Sequence, residues 1–445
     1  MPVPRTLARL ALTLTLALPL GLPALASAQS LQSLYEAARA YDATYLAARA
    51  LADSAQYRTE QALALKRPSA SLSATAGRNQ FALPQGLGGG GRNSVGVTLN
   101  GSLPLFNRAS DAGIAQARKN QEAAQDDLRS AGQDLIVRVA QAYFNLLAAQ
   151  DALATTRSSQ AAITEQLASA KRNFEVGTAT ITDTREAQAR YDLAVAQVLA
   201  AENTVRTSQV ALDQLVGRTG VQPRPLRQPV VLPATQPADV QAWVMLADSE
   251  HPAIRKAQAA LDVALLETDK ARAGHLPTLS LVGSTGATQN SGLQSFGTVS
   301  GMTRQTSIGV QLDLPLYSGG AVDNRVRETV ALQEKARDDL QAARRGVEQG
   351  TQLAFYNLQS GLAQVKALEA AQSSSQLALE ATQLGYKVGV RVNVDVLNAQ
   401  AQLYTTERDL AKARYDVLMG GLKLRQAAGA LDDGDLQAVN RLLAP

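Results

Sequence analysis

FEVGTATITDTREAQARY, residues 174–191, and YKVGVRVNVDVLNAQAQL, residues 386–403, are two copies of one stretch. An offset of 212 (388 − 176) aligns Val176 with Val388, Gly177 with Gly389, Asp183 with Asp395, Ala187 with Ala399 and Gln188 with Gln400, without a gap. In each copy a Val-Gly turn follows a long helical pattern, and an aspartate further on opens the next helix. Glycine at such a position reads as a helix C-cap, because it accepts positive φ. Each copy is therefore predicted to be the tip of a helical hairpin.

The segments that lead into the tips are long. From Ala109 to Asn173 there is no proline, and Ile136, Val139, Tyr143, Leu146, Leu147 and Leu153 fall at helical spacing. A continuous helix there spans about 100 Å at 1.5 Å per residue. A second runs from about Val322 to Leu384, and its DDLQAA and AFYNLQ echo DDLRSA and AYFNLL of the first. The helices that leave the tips are shorter. In the last one Val396, Leu403, Leu410, Val417 and Leu424 are seven apart, beside a small-residue seam of Ala399, Thr406, Ala413, Gly420 and Ala427. The first copy has Thr184, Tyr191, Val198, Val205 and Leu212, with Ala187, Ala194, Ala201, Ser208 and Leu215. A strict heptad means left-handed supercoiling, and small residues let backbones approach.

Before each long helix the period changes from helical to alternating. Ala70, Leu72, Ala74 and Ala76 face away from Ser69, Ser71, Ser73 and Thr75. Val95, Val97, Leu99, Gly101, Leu103 and Leu105 then face away from Ser94, Thr98, Asn100 and Ser102, across the glycine run 86–91. The second half repeats this with Leu279 and Leu281, then Ile308, Val310, Leu312, Leu314 and Leu316 opposite Ser307, Gln311 and Asp313. Residues 30–66 and 239–274 read as one helix each, ahead of the two hairpins. The stretch VQPRPLRQPVVLPATQP, residues 221–237, contains too many prolines for regular helix.

The chain thus divides into a leader, 1–28, and two repeats. The first, 29–238, holds a helix, a hairpin at about 68–105, a long helix, the tip 174–182, a helix and the linker 218–238. The second, 239–445, holds the same elements, with its hairpin at about 277–316, its tip at 386–394 and a C-terminal tail. In the leader, Arg5 and Arg9 precede the apolar run Leu10–Leu20, and Ala26-Ser27-Ala28 is an A-x-A cleavage site, the pattern of a secretory signal. No later stretch reaches the apolar length of a membrane helix. There is no cysteine, so an exported chain relies on packing and assembly rather than disulfides. The formal charge of +4 becomes +2 once Arg5 and Arg9 leave with the signal (4 − 2), which carries no nucleic-acid footprint.

Four amphipathic strands cannot close a barrel, since an antiparallel membrane barrel needs at least about eight, and open edges in lipid leave backbone groups unpaired. The barrel must be shared between chains. A dimer would fill its interior with side chains, whereas a trimer of twelve strands leaves a lumen. The expected fold class is mainly α with a pair of membrane β-hairpins: a long α-helical coiled-coil barrel continuing a trimeric twelve-stranded β-barrel, with an internal two-fold repeat.

With its proline-bounded hairpins, matched long helices, two VG tips and closing stretch ARYDVLMGGLKLRQAAGALDDGDLQAVN (413–440), the whole mature chain resembles the TolC family of outer-membrane export ducts. The resemblance implies a homotrimer in outer-membrane lipid with a large periplasmic portion. It implies a passive conduit opened at its periplasmic tip by an adaptor and an inner-membrane efflux or ABC transporter, serving tripartite efflux, type I secretion or both. At the tip it implies a closing latch, partly across protomers, of Tyr386 and Arg391 with Asp183, and Thr182 as a further acceptor. An Arg-carboxylate pair suits a latch, because the guanidinium fork is strong yet an exposed pair adds only about 0–1 kcal/mol. It implies an entrance ring at Asp395, whose second position is here Asn398 rather than an acid. Asp395 also reads as a helix cap. Val176, Gly177, Val388 and Gly389 are the implied adaptor contacts.

Other chemistry finds little support. His251 and His275 both flank helix ends, and no metal site or relay is expected from them. The glycine run lacks the Lys-Ser/Thr of a phosphate loop and reads as an external hairpin tip. Asp126-Asp127 and Asp338-Asp339 read as solvated helix faces, and Trp243 as a packing anchor. No enzyme, cofactor or metal is expected. The rival reading is a secreted or surface trimeric coiled-coil stalk or adhesin, which leaves the four amphipathic strands unexplained.

Overall fold

A computed structural model of the chain describes residues 29–82, 89–294, 297–298 and 300–444. The leader and residues 86–88 of the glycine run lie outside the described residues; Gly89, Gly90 and Gly91 belong to a strand. In chain order the elements are helices α1 (Leu31–Tyr41) and α2 (Ala43–Leu63), strands β1 (Ser69–Ala82) and β2 (Gly89–Phe106), and helices α3 (Arg108–Glu175), α4 (Ile181–Val216), α5 (Val240–Glu250) and α6 (Pro252–Arg272). Strands β3 (Thr278–Gln294), β4 (Gly297–Thr298) and β5 (Gly301–Asp313) follow, then helices α7 (Ala321–Lys387), α8 (Asn393–Ala427) and α9 (Asp433–Asn440).

Two segments expected as single helices are broken, for local reasons. Within 30–66 the chain breaks at Asp42, whose backbone is extended and whose Oδ1 accepts the Tyr45 N–H at 2.8 Å, capping α2. Arg138 of α3 donates to both carboxylate oxygens at 2.9 Å and holds Asp42 below the usual carboxylate range. Within 239–274 the break is at His251. Proline disfavours helical backbone in the residue before it, and His251, preceding Pro252, has ψ 124°. Its Nδ1 accepts the Ala253 N–H at 3.1 Å and caps α6.

The long strands form one antiparallel sheet in the order β1-β2-β3-β5, with the two-residue β4 on the outer part of β3. Directly opposed residues share a face. Leu72 faces Leu99, Ala74 faces Val97 and Leu281 faces Val310 on the apolar side. Ser73 faces Thr98 and Ser284 faces Ser307 on the polar side, the last pair 2.9 Å apart at their hydroxyls. Strand β5 stops at Asp313, short of the expected 316; Pro315 has no N–H to continue a ladder. β1 and β5 are the edges, each with one side unpaired within the protomer.

The helices α3 and α7 run unbroken for 68 and 67 residues, about 100 Å each. Helix α3 packs along α4, and α7 along α8; α3 also touches α8 and α6. The large heptad seam of α8 is fully inside: Val396, Leu403, Leu410, Val417 and Leu424 are each at most 5% exposed. Burying such a side chain contributes roughly 1.5–3 kcal/mol. In α4 only Val198 and Leu212 of the large set are buried, together with Ala187 and Ala194 of the small set. Leu193, Leu199 and Val210 of α4 stay exposed, as do Leu353, Tyr356, Leu377 and Leu384 of α7.

The largest core lies midway along α3, where Tyr143 and Phe144 meet edge to face at 5.6 Å among Leu31, Leu34, Leu212, Leu422 and Leu436. The Tyr143 hydroxyl donates to the Arg224 carbonyl at 2.9 Å and accepts its N–H at 2.8 Å, tying in the proline-rich linker. Tyr415 of α8 donates to Asp151 of α3 at 2.6 Å; burial pushes the Asp151 carboxyl up. Trp243 is the anchor the sequence suggests, 4% exposed with its Nε1–H on the Pro237 carbonyl at 2.9 Å. Asp126 and Asp127, by contrast, are not a bare solvated face. They pair with Arg255 and Lys256 of α6 at 3.4 and 2.8 Å.

Candidate functional site: the hairpin tips

The two tips end α3 and α7 in the same way. Gly177 has φ 81° and donates to the Phe174 carbonyl at 3.0 Å; Gly389 has φ 79° and donates to the Tyr386 carbonyl at 3.1 Å. Nothing lies within 4 Å of where a Cβ on either glycine would be. Positive φ alone therefore requires glycine there. Val176 and Val388 are 73% and 65% exposed, so each turn presents a small apolar knob to solvent.

Beyond the first turn, Thr180 and Asp183 cap α4 reciprocally. The Asp183 carboxylate accepts the Thr180 N–H at 2.9 Å and its hydroxyl at 2.7 Å, and the Asp183 N–H returns to the Thr180 hydroxyl at 3.2 Å. Thr182 is exposed beside it. Beyond the second turn Asp395 accepts the Val392 N–H at 3.4 Å and pairs with Arg391 at 3.6 Å, one helical turn away. Tyr386 packs near Leu379, Val396 and Leu403, and its hydroxyl accepts from Asn173 Nδ2 at 3.1 Å.

The tips are thus joined within the protomer by Asn173 and Tyr386. Among the described residues no ion pair links Arg391 to Asp183 in one chain: Arg391 is engaged by Asp395, and Asp183 by Thr180. The expected ring positions both lie on the first turns of α8. Asn398, the neutral residue at the second ring position, accepts from Arg190 Nη2 of α4 at 3.0 Å, so a guanidinium sits beside that position.

Sequence reasoning missed Asn173, Arg190 and a third pair, the buried Asn393 with Gln166 of α3, whose Nε2 donates to the Asn393 Oδ1. All three pairs cross between the two repeats. Their only signal in the chain is a polar residue within about three helical turns of a tip. Just above, a cavity of about 400 Å³ between α3, α4 and α8 is lined by Arg190, Leu193, Gln197, Leu397, Tyr404 and Arg408. Among the described residues no group of His, Cys, Asp and Glu could hold a metal ion, and no helix is long and apolar enough to cross a membrane.

An amphipathic antiparallel sheet set on paired helices about 100 Å long, with the helical tips at the far end, defines an outer-membrane channel protein. The chain belongs to the outer membrane efflux protein family, whose description it matches over residues 34–218 and 243–430. It is 33% identical over 413 residues, 93% of both chains, to the outer membrane protein TolC of Vibrio cholerae. It is 35% identical over 348 residues, 77% of this chain and 71% of the other, to the alkaline protease secretion protein AprF of Pseudomonas aeruginosa. The crystal structure of the Vibrio cholerae outer membrane protein VceC superposes with a TM-score of 0.76 at 19% identity, covering 90% of this chain and 96% of that one. The stalk or adhesin reading is set aside.

Proposed function

We propose that three copies of this chain close a twelve-stranded barrel in the outer membrane and continue it as a helical tunnel, a passive exit duct that an adaptor and an inner-membrane transporter open from the periplasmic tips. The observation that carries this reading is the sheet with two open edges. β1 and β5 need partners in lipid, and each fits the other on a neighbouring copy. The exposed apolar side chains of α4 and α7 supply a matching contact below the barrel. The relative named for protease secretion, alongside a family named for efflux, supports a duct that leaves cargo selection to the transporter.

Val176, Gly177, Val388 and Gly389 form the adaptor-contact knobs in this reading. A Gly389→Trp variant is expected to leave the trimer intact on native gels, since the site is open, yet to lose co-purification of the adaptor. An unchanged yield of adaptor from the variant trimer would sink the assignment, and a monomeric wild type would sink the duct itself.

The latch is proposed to form between copies: Tyr386 and Arg391 of one protomer exchange their internal partners for Asp183 and Thr182 of another. Asp395, repeated three times, is proposed as the entrance ring, with Asn398 held by Arg190 as a neutral second layer. Carboxylate rings attract cations. Asp395→Ala is expected to weaken block by trivalent cations, applied from the tip side in planar bilayers, by about tenfold or more. Equal block of both channels would count against the ring.

A further inference from the structure

The two hairpins are copies in register as well as in sequence. An offset of 209 (278 − 69) carries β1 onto β3, matching Pro68, Ser71, Leu72 and Gly77 to Pro277, Ser280, Leu281 and Gly286. An offset of 211 (313 − 102) carries β2 onto β5, and Leu103-Pro104-Leu105 onto Leu314-Pro315-Leu316. The ladders obey the same two offsets. Ser69 pairs with Ser102 and Thr278 with Asp313; Asn79 pairs with Arg92 and Thr288 with Thr303. Hairpins folded alike present like edges, so the internal join of β2 to β3 is a template for joining β5 to a further β1.

The copies differ at one end. β2 runs past its last β1 pair as far as Phe106, because β3 lies alongside: Leu103 pairs with Leu281, Pro104 with Ser280 and, after a bulge, Phe106 with Leu279. Their counterparts, Leu314 to Tyr317, have no strand beside them among the described residues and lie outside β5. Leu316 and Tyr317 are each 89% exposed, against 51% and 44% for Leu105 and Phe106. The proline removes a donor in both copies, so it does not by itself end the strand. On the opposite edge Leu72 is 72% exposed, whereas Leu281, the same position covered by β2, is half-buried.

We propose that the seam between copies repeats the β2–β3 join residue for residue, and that Leu314–Tyr317 becomes strand only against Ala70–Leu72 of the next copy. The proposal rests on the shared barrel above and adds its register. Carried over by the two offsets, the pairs Asn100–Ser284, Gly101–Gly283 and Leu103–Leu281 become Gln311–Thr75, Leu312–Ala74 and Leu314–Leu72, and Phe106–Leu279 becomes Tyr317–Ala70. Both faces agree, with Gln311 and Thr75 on the polar side and Leu312, Leu314, Ala74 and Leu72 on the apolar side. Size agrees as well. In the internal join a Cβ on Gly286 would lie 2.7 Å from Thr98 Oγ1 and 2.9 Å from the Val97 carbonyl oxygen. Across the seam the positions equivalent to Thr98 and Gly286 are Gly309 and Gly77, small on small.

The chain has no cysteine, so an introduced pair reports the register without background. Directly opposed residues stand about 4.5–5.5 Å apart at Cα, inside the range a disulfide bridges, whereas diagonal ones stand about 7–8 Å apart, beyond it. Oxidised Thr75→Cys/Gln311→Cys is expected to run as a covalent trimer on denaturing gels and to return to monomer with reductant. Thr75→Cys combined with Gly309→Cys or with Asp313→Cys, two residues to either side, is expected to give far less. More efficient cross-linking of either of those pairs, or none by all three while native gels show a trimer, would overturn the register and leave the duct in place. Absence of a trimer would overturn the shared barrel and the seam with it. Hydrogen exchange checks the strand end: in the trimer the amides of Leu314, Leu316 and Tyr317 are expected to be protected like those of Leu103, Leu105 and Phe106. Free exchange at 314–317 beside protection at 103–106 would overturn the completion of β5.

Discussion

Gly429→Ala is expected to destabilise the protomer by on the order of 4 kcal/mol and to abolish recovery of assembled protein. Gly429 follows the C-terminus of α8 with φ 70°, donating to the Gln426 carbonyl at 2.8 Å while Ala430 donates to the Arg425 carbonyl at 2.9 Å. Left-handed backbone costs a residue with a Cβ about 1–2 kcal/mol. The larger part is steric. A Cβ there would lie 2.4 Å from His251 Cα, 2.8 Å from His251 N and 3.0 Å from the Glu250 carbonyl carbon. These are backbone atoms at the α5–α6 break, which cannot rotate away, and forced overpacking costs about 1–3 kcal/mol. Displacing Gly429 also pulls its carbonyl from Gln133, which donates to it at 2.9 Å from a site only 4% exposed. The comparison that isolates the clash is Gly389→Ala, with φ 79° and open space, expected to cost only about 1 kcal/mol. Thermal unfolding and protease resistance of the two variants decide it: equal losses would show that helix-end conformation, not contact with His251, sets the requirement.

The second large effect is on conductance. The double variant Tyr386→Phe/Arg391→Ser removes the hydroxyl and the guanidinium proposed to hold the closed tip, three times per trimer. At up to about 1 kcal/mol for each exposed pair, three latches hold about 3 kcal/mol, which shifts the closed-to-open ratio about a hundredfold. Planar-bilayer recordings are expected to show a severalfold rise in single-channel conductance. Within the protomer the same change frees Asn173 and Asp395, and neither loss closes a channel. Conductance unchanged from the wild type would remove the latch.

What could be read from the chain alone follows a physical divide. The heptads of α8, the alternation of the strands and the proline limits are local patterns, and the structure has them with the predicted faces. The helix breaks at Asp42 and His251 were also local. Asp42 precedes a helix as a good cap, and Pro252 restricts its neighbour; continuous small apolar residues on either side concealed both. The tip is different. Which side chain Asn398, Tyr386 or Asn393 meets depends on how two repeats about 200 residues apart lie together, and no spacing in the sequence encodes that Arg190, Asn173 and Gln166 are the partners. The latch and ring were expected from resemblance, and within one chain their residues turn inward to local caps and short ion pairs.

The uneven distribution of the core gives the helices a mechanical role. The Tyr143–Phe144 core grips α3 midway, whereas near the tips the helices are held by the small groups around Leu167 and Leu379 and by the polar pairs Gln166–Asn393 and Asn173–Tyr386. From Tyr143 to Glu175 is about 48 Å of unbroken helix. A hairpin pivoting there by 5° would sweep its tip through about 4 Å, so a small rotation at the core becomes a large displacement at Val176 or Val388 in the proposed duct. In that reading the sheet, on the other side of the fulcrum, can stay still while the far end opens.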